Sequence, residues 1–192
     1  MLHLRILDLS RNELGWGIGS TLITRLTHAN RLEQLLLRRC GIVTSDASAI
    51  GAMLAALPSL DLLDVGENTM GDEALAALLT ASPDDTRTNL SLERNNLDER
   101  AVSALAQKSE LVSSSLTSTL ETLRLDACSL DEDAIALLCQ APWERLRRLS
   151  LKLCNLSDAH AIQLARAPNL ACLTELDLAH NDLGEPARRA LA

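Results

Sequence analysis

Five cysteines and four histidines are the side chains of this sequence best suited to nucleophilic, redox or metal chemistry. A structural metal site usually draws four ligands at short, regular spacing. His3, His28, His160 and His180 are scattered, and no His/Cys set has that spacing. No serine, cysteine or carboxylate stands beside a histidine as a nucleophile–base pair would require. The acids Asp131 to Asp133, in the segment DEDAI, suit a helix amino terminus, where the backbone dipole favours carboxylates, better than acid–base catalysis. The one glycine-rich run, Gly15 to Ser20, lacks both the Gly-Lys-Ser/Thr ending of a phosphate loop and the dinucleotide fingerprint. It reads as an unusual turn in which Trp16 covers an edge. These residues predict no enzyme, no cofactor and no metal.

Composition restricts the elements that position them. The sequence has 43 leucines in 192 residues, no Phe, no Tyr and only two tryptophans, Trp16 and Trp143. Irregular cores draw on aromatics to fill their volume. A core built from leucine instead implies many near-identical slots. Net charge is −8, which opposes binding to nucleic acid or to an anionic membrane surface. No apolar run reaches membrane-spanning length, and the opening MLHLRILDLS carries Arg5 and Asp8 inside its apolar stretch, unlike a signal peptide. An odd cysteine count at low density fits a reducing compartment, and a cytoplasmic location is expected.

The slots are visible as a repeat. Segments starting at Leu4, Leu32, Leu60, Arg87, Leu120, Leu146 and Leu173 align on L-x-x-L-x-L-x-x-N/C-x-L, at intervals of 28, 28, 27, 33, 26 and 27 residues. The fourth, sixth and eleventh positions are aliphatic in all seven segments. The ninth reads Asn12, Cys40, Asn68, Asn95, Cys128, Cys154 and Asn181. An Asn there can bond the backbone of a tight bend, and a Cys is small enough to be buried in the same place. Cys128 and Cys154 share this column in adjacent segments and read as core thiols rather than a disulfide or a metal pair. Cys139 and Cys172 also read as packing.

This motif and period resemble the ribonuclease-inhibitor-like leucine-rich repeats, with Arg87 and the long fourth repeat as departures. The resemblance implies an α/β fold: a right-handed solenoid, or horseshoe, of about seven repeats with its parallel sheet concave and its helices convex. Residues 1–192 are expected to form one domain, a fragment of a longer array, since neither end looks capped; the ends are candidates for self-association.

The residue pattern agrees. Alternation around the fourth and sixth positions marks a short strand with one buried face. The segments TSDASAIGAMLAAL, GDEALAALL, DERAVSALAQK, DEDAIALLCQ and SDAHAIQLARA open on capping or acidic residues and continue at helical spacing. Strands sit about 4.8 Å apart and helices about 8–10 Å apart, so a stack of such units must bend. The Ser/Thr-rich stretch from Lys108 to Leu123 is expected to form a solvated loop or an extra helical turn, with a contact or phosphorylation loop as the sharper reading.

Strand alternation sends positions three, five and seven to the concave face, with position eight at its edge. The expected contact residues are Gln34, Leu36, Arg38, Arg39, Leu62, Asp64, Glu67, Glu93, Arg94, Arg124, Asp126, Arg148, Lys152, Glu175 and Asp177. Signs alternate along this face, which suits a shape-specific protein partner better than a polyanion. Leu36 and Leu62 are the expected apolar anchor. The expected function is a protein-interaction module or scaffold. The alternatives are a regulator of a small GTPase, resembling the Ran-type activators, or the sensor arm of an intracellular immune-type receptor.

Overall fold

A computed structural model describes residues 3–14, 21–22, 25–26, 28–80, 87–97, 99–106 and 116–192. The Gly15–Ser20 run, Trp16 and the first part of the Ser/Thr-rich stretch lie outside these residues. Seven three-residue strands form one open parallel sheet in sequence order: β1 Ile6–Asp8, β2 Gln34–Leu36, β3 Leu62–Asp64, β4 Asn89–Ser91, β5 Thr122–Arg124, β6 Arg148–Ser150 and β7 Glu175–Asp177. Each covers positions three to five of its repeat, and the register is in phase. Ile6 pairs with Gln34, Gln34 with Leu62, and so on to Glu175.

The second halves are the expected helices: α1 Ala47–Ala55, preceded by a 3₁₀ turn at Thr44–Asp46, α2 Asp72–Thr80, α3 Glu99–Ala106, the single turn α4 Leu116–Thr119, α5 Glu132–Gln140, α6 Asp158–Arg166 and α7 Glu185–Leu191. The α4 turn lies in the described part of the Ser/Thr-rich stretch, and it buries Leu116 and Thr117. Acids near the helix starts bond backbone N–H groups within and between repeats. Asp131 accepts from the backbone N–H of Ala134 at 2.8 Å. Asp72 and Asp158 reach across to the next repeat, accepting from Ala101 and Gly184, each at 2.7 Å.

Between sheet and helices lies one continuous aliphatic core. Leu35, Leu63, Leu90, Leu123 and Leu149 fill the fourth column, and Leu37, Val65, Leu92, Leu125 and Leu151 the sixth, all buried. Truncating one such leucine to alanine removes transfer energy and leaves a cavity, at about 2–5 kcal/mol. Arg87 occupies the first-column slot of its repeat at only 3% exposure. Trp143 is buried and its indole N–H donates to the Leu138 carbonyl at 2.8 Å. Cys172 corrects the packing reading: it is exposed, whereas Cys139 is buried as expected.

The ninth column ties the repeats together. Asn68 donates to the carbonyls of Leu37, Val65 and Gly66, and its Oδ1 accepts from the backbone N–H groups of Cys40 and Ile42 at 3.0 and 3.1 Å. Asn181 repeats this with Leu151, Leu178, Cys154 and Leu156. The cysteines keep only the donor half: Sγ of Cys40, Cys128 and Cys154 lies 3.1, 3.5 and 3.1 Å from the carbonyls of Leu9, Leu92 and Leu125. A thiol is a poor acceptor. Accordingly, where the next repeat carries Cys, the position-eleven N–H folds back onto its own repeat, as in Leu14 to Asn12, Leu97 to Asn95 and Leu130 to Cys128.

Candidate functional site

The buried face of each strand turns toward the helices, so the opposite side chains form the concave surface. Gln34, Leu62, Arg148 and Glu175 stand at position three; Leu36, Asp64, Arg124 and Asp177 at position five; Arg38, Glu93, Asp126 and Lys152 at position seven. The in-phase register brings each set into a row across the sheet.

Position eight differs from the expectation of a simple sheet edge. Arg11, Arg39, Glu67, Arg94, Ala127, Leu153 and His180 all have positive φ, between 51° and 61°. Each is a left-handed residue that closes the strand and turns the chain toward the ninth-column bond. Its N–H still donates to the position-seven carbonyl of the next repeat, as Arg39 does to Gly66 at 2.9 Å and Arg94 to Asp126 at 2.8 Å. That conformation costs a non-glycine residue about 1 kcal/mol or more and is held by the surrounding ladder. The rim it forms runs along the carboxyl ends of the strands.

The charged rows are organised by internal pairing. Arg38 spans two neighbouring repeats: Nη2 lies 2.9 Å from Glu67 Oε1, and Nη1 lies 2.5 Å from Glu93 Oε2 and 3.8 Å from Asp64. Burial alone would lower its pKa, but its hydrogen bonds to Glu93 and Glu67 outweigh that and raise it. The Arg38 hydrogen bond in turn holds the Glu67 carboxyl below its ordinary range. The crossing passes over Gly66, where a Cβ would come within 3.3 Å of Arg38 Nη1. Glu93 is only 8% exposed, so it anchors Arg38 from below the surface.

Farther along the face, Thr122, Arg124, Asp126, Arg148, Ser150, Lys152, Glu175 and Asp177 line a shallow polar depression. Lys152 pairs with Asp177 at 2.8 Å, and Arg148 with Glu175 at 3.3 Å. Asp126 accepts from the Ser150 hydroxyl at 2.5 Å and from the Lys152 N–H at 3.0 Å. Lys152 first, and then the Ala179 N–H, lower the Asp177 pKa.

The expected anchor is modified. Leu36 and Leu62 lie on adjacent strands but one step out of register, since Leu36 faces Asp64 and Leu62 faces Gln34. Both are half-buried. Among the described residues of this face, the open large apolar side chains are Ile6, at 53%, in the position-three row, and Leu153, at 52%, on the rim. Ile6 and Arg11 fall in the same columns as the expected contacts, so reading those columns in the first repeat finds them.

The buried thiols are chemically quiet. Burial pushes Cys128 up to about 12 and Cys154 and Cys139 up to about 11. Among the described residues no cluster of His, Cys, Asp or Glu is placed to hold a metal ion, and no helix is long and apolar enough to cross a membrane.

A family model for the leucine-rich repeat matches residues 1–21 and 169–192. NACHT, LRR and PYD domains-containing protein 12 of Mus musculus is 35% identical, over 93% of this chain and 17% of that protein. Ribonuclease inhibitor of Mus musculus is 29% identical, over 96% of this chain and 41% of that protein. NACHT, LRR and PYD domains-containing protein 3 of Homo sapiens is 32% identical, over 93% and 18%. The chain thus spans well under half the length of these relatives. A solved structure titled "Crystal structure of TLR13-ssRNA13 complex" is matched over 96% of this chain and 34% of that one, at 17% identity and a TM-score of 0.35, too loosely to transfer any residue. With its seven in-phase strands, its helices and its Asn/Cys column, the chain is a leucine-rich-repeat protein of the ribonuclease-inhibitor-like kind.

Proposed function

We propose that this chain is a protein-interaction module whose concave face holds another protein. The observation that carries this reading is the array of charged and apolar side chains that the in-phase register sets in rows across one face. Pairing between neighbouring side chains pre-organises that face, and a pre-organised surface loses less side-chain freedom on binding. Mixed signs favour a partner with complementary patches. Ribonuclease inhibitor, 29% identical, carries in its name an action on another protein. One continuous sheet and core support reading the repeats as a single unit.

Within the face, Arg124, Arg148, Lys152, Glu175 and Asp177 around the depression are the proposed polar contacts, with Gln34, Leu36 and Leu62 at the other end. Arg38, Asp64, Glu67, Glu93 and Asp126 shape the face through their internal bonds, and Arg39 and Arg94 lie on its rim. The similarity to the NACHT-containing proteins favours a second reading, a sensor arm of an immune-type receptor, that uses the same face.

Affinity capture tests this with the wild-type chain and with an Arg124→Glu, Arg148→Glu, Lys152→Glu variant. A partner captured by the wild type and lost from the variant supports the concave site. Retention of every partner places binding elsewhere.

A further inference from the structure

The cations of the concave face divide into two kinds. Arg38, Arg124, Arg148 and Lys152 are engaged by carboxylates of this chain. On the left-handed rim, Arg11, Arg39 and Arg94 are exposed, and among the described residues their side chains make no ion pair or hydrogen bond. Glu67, which shares their column between Arg39 and Arg94, is turned to Arg38. Asp8 and Asp64, in the position-five row, accept from the backbone N–H groups of Ser10 and Gly66, and Asp64 also lies 3.8 Å from Arg38. The rim thus presents three exposed arginines without a side-chain ion pair, in the first, second and fourth repeats, with Glu67 between the last two.

Beside this run lies a small apolar patch, set diagonally between Asp8, Gln34 and Asp64. Ile6, Leu36 and Leu62 occupy positions three and five of the first three repeats, where later repeats carry Asn, Thr, Arg, Glu, Ser or Asp. Strands about 4.8 Å apart put Arg11 and Arg94 roughly 14 Å from each other, the length of four or five extended residues. Leu36 lies about 10 Å inward, three residues back along the strand, and Ile6 and Leu62 about 16 Å inward, five residues back.

We propose that the rim and this patch form a docking site for an acidic segment of a protein partner. Its Asp or Glu side chains sit on Arg11, Arg39 and Arg94, and an aliphatic or aromatic side chain sits on Ile6, Leu36 and Leu62. This rests on the concave-face reading and names the chemistry of the partner. A short peptide suits the site better than nucleic acid, because the net charge of −8 repels a polyanion. A few carboxylates instead feel the local arginines within a Debye length of about 8 Å.

The test selects random displayed dodecapeptides on the full chain, then measures synthetic copies of the enriched ones by fluorescence anisotropy. The expected winners carry clustered carboxylates and an apolar residue. Their affinity falls about tenfold or more on Arg11→Gln, Arg39→Gln, Arg94→Gln, and falls with added salt. Circular dichroism checks that this surface variant stays folded. Winners that are neutral or basic, winners indifferent to the triple variant, or an absence of winners would overturn the proposal. An oligonucleotide of equal charge that binds as tightly would overturn the partner class. Winners that depend on Arg124 and Arg148 instead would sink this assignment while leaving the concave-face reading intact.

Discussion

Arg38 and Glu93 belong to the second and fourth repeats, yet their side chains meet at 2.5 Å across the third strand, over Gly66. The pair ties three repeats together on the open side of the sheet, as the Asn/Cys column does from within. It also consumes charge that the sequence alone offers to a partner.

Removing one member should therefore damage the fold more than a surface charge would. Arg38→Met leaves buried Glu93 with only Arg124, 3.8 Å away, and because Arg38 keeps 24% side-chain exposure the cost should be about 2–3 kcal/mol rather than the full price of a dry pair. Arg38→Met with Glu93→Gln should recover part of it. Urea unfolding of the four members of the cycle measures the coupling; strict additivity would contradict the bridge.

The ninth column makes a separate prediction. Asn68→Ala strands the N–H groups of Cys40 and Ile42 and the carbonyl of Leu37, at a cost of about 3 kcal/mol. Asn68→Cys keeps a donor and should cost less, about 1–2 kcal/mol. Equal losses in urea melts would show that the donor half contributes nothing.

Thiol chemistry should follow exposure. Cys172 should react with a disulfide reagent in the native chain. Cys128, Cys139 and Cys154, buried and pushed to about 12, 11 and 11, should wait for unfolding. Two or more thiols titrating rapidly without denaturant would be the opposite outcome.

Acid should loosen the face. The carboxyls of Glu67 and Asp177 are lowered by Arg38 and Lys152 respectively, so the unfolded chain binds protons more readily than the folded one. Their contribution is complete above the unfolded values, about 4.3 and 3.9, and is lost as pH falls from there through the lower folded values. Glu67→Gln with Asp177→Asn should be less stable at pH 7 and show a shallower loss below about pH 4.5. An unchanged acid slope in a urea–pH series would refute this.

Much of the architecture is written in period. The aliphatic columns led by Leu35, Leu37 and Ile42 are buried because each repeat must hide the same three side chains, and identical spacing puts them in phase. Position eight left no such mark: Arg39, Glu67 and Leu153 carry no glycine signal for a left-handed turn, which the ladder on either side imposes. The bridge from Arg38 to Glu93 was equally hidden, since it depends on a side chain crossing a repeat whose position seven is Gly66. Cys172 looked like packing because it precedes a strand, but it lies where the chain returns along the surface.

The central claim is that a protein partner lies on the concave face. Hydrogen exchange of the chain with and without a captured partner tests it most directly. Added protection should fall on β1 to β7 and on the rim from Arg11 to His180, leaving α2, α3, α5 and α6 unchanged. Protection confined to those helices would place the partner on the convex side and contradict the account.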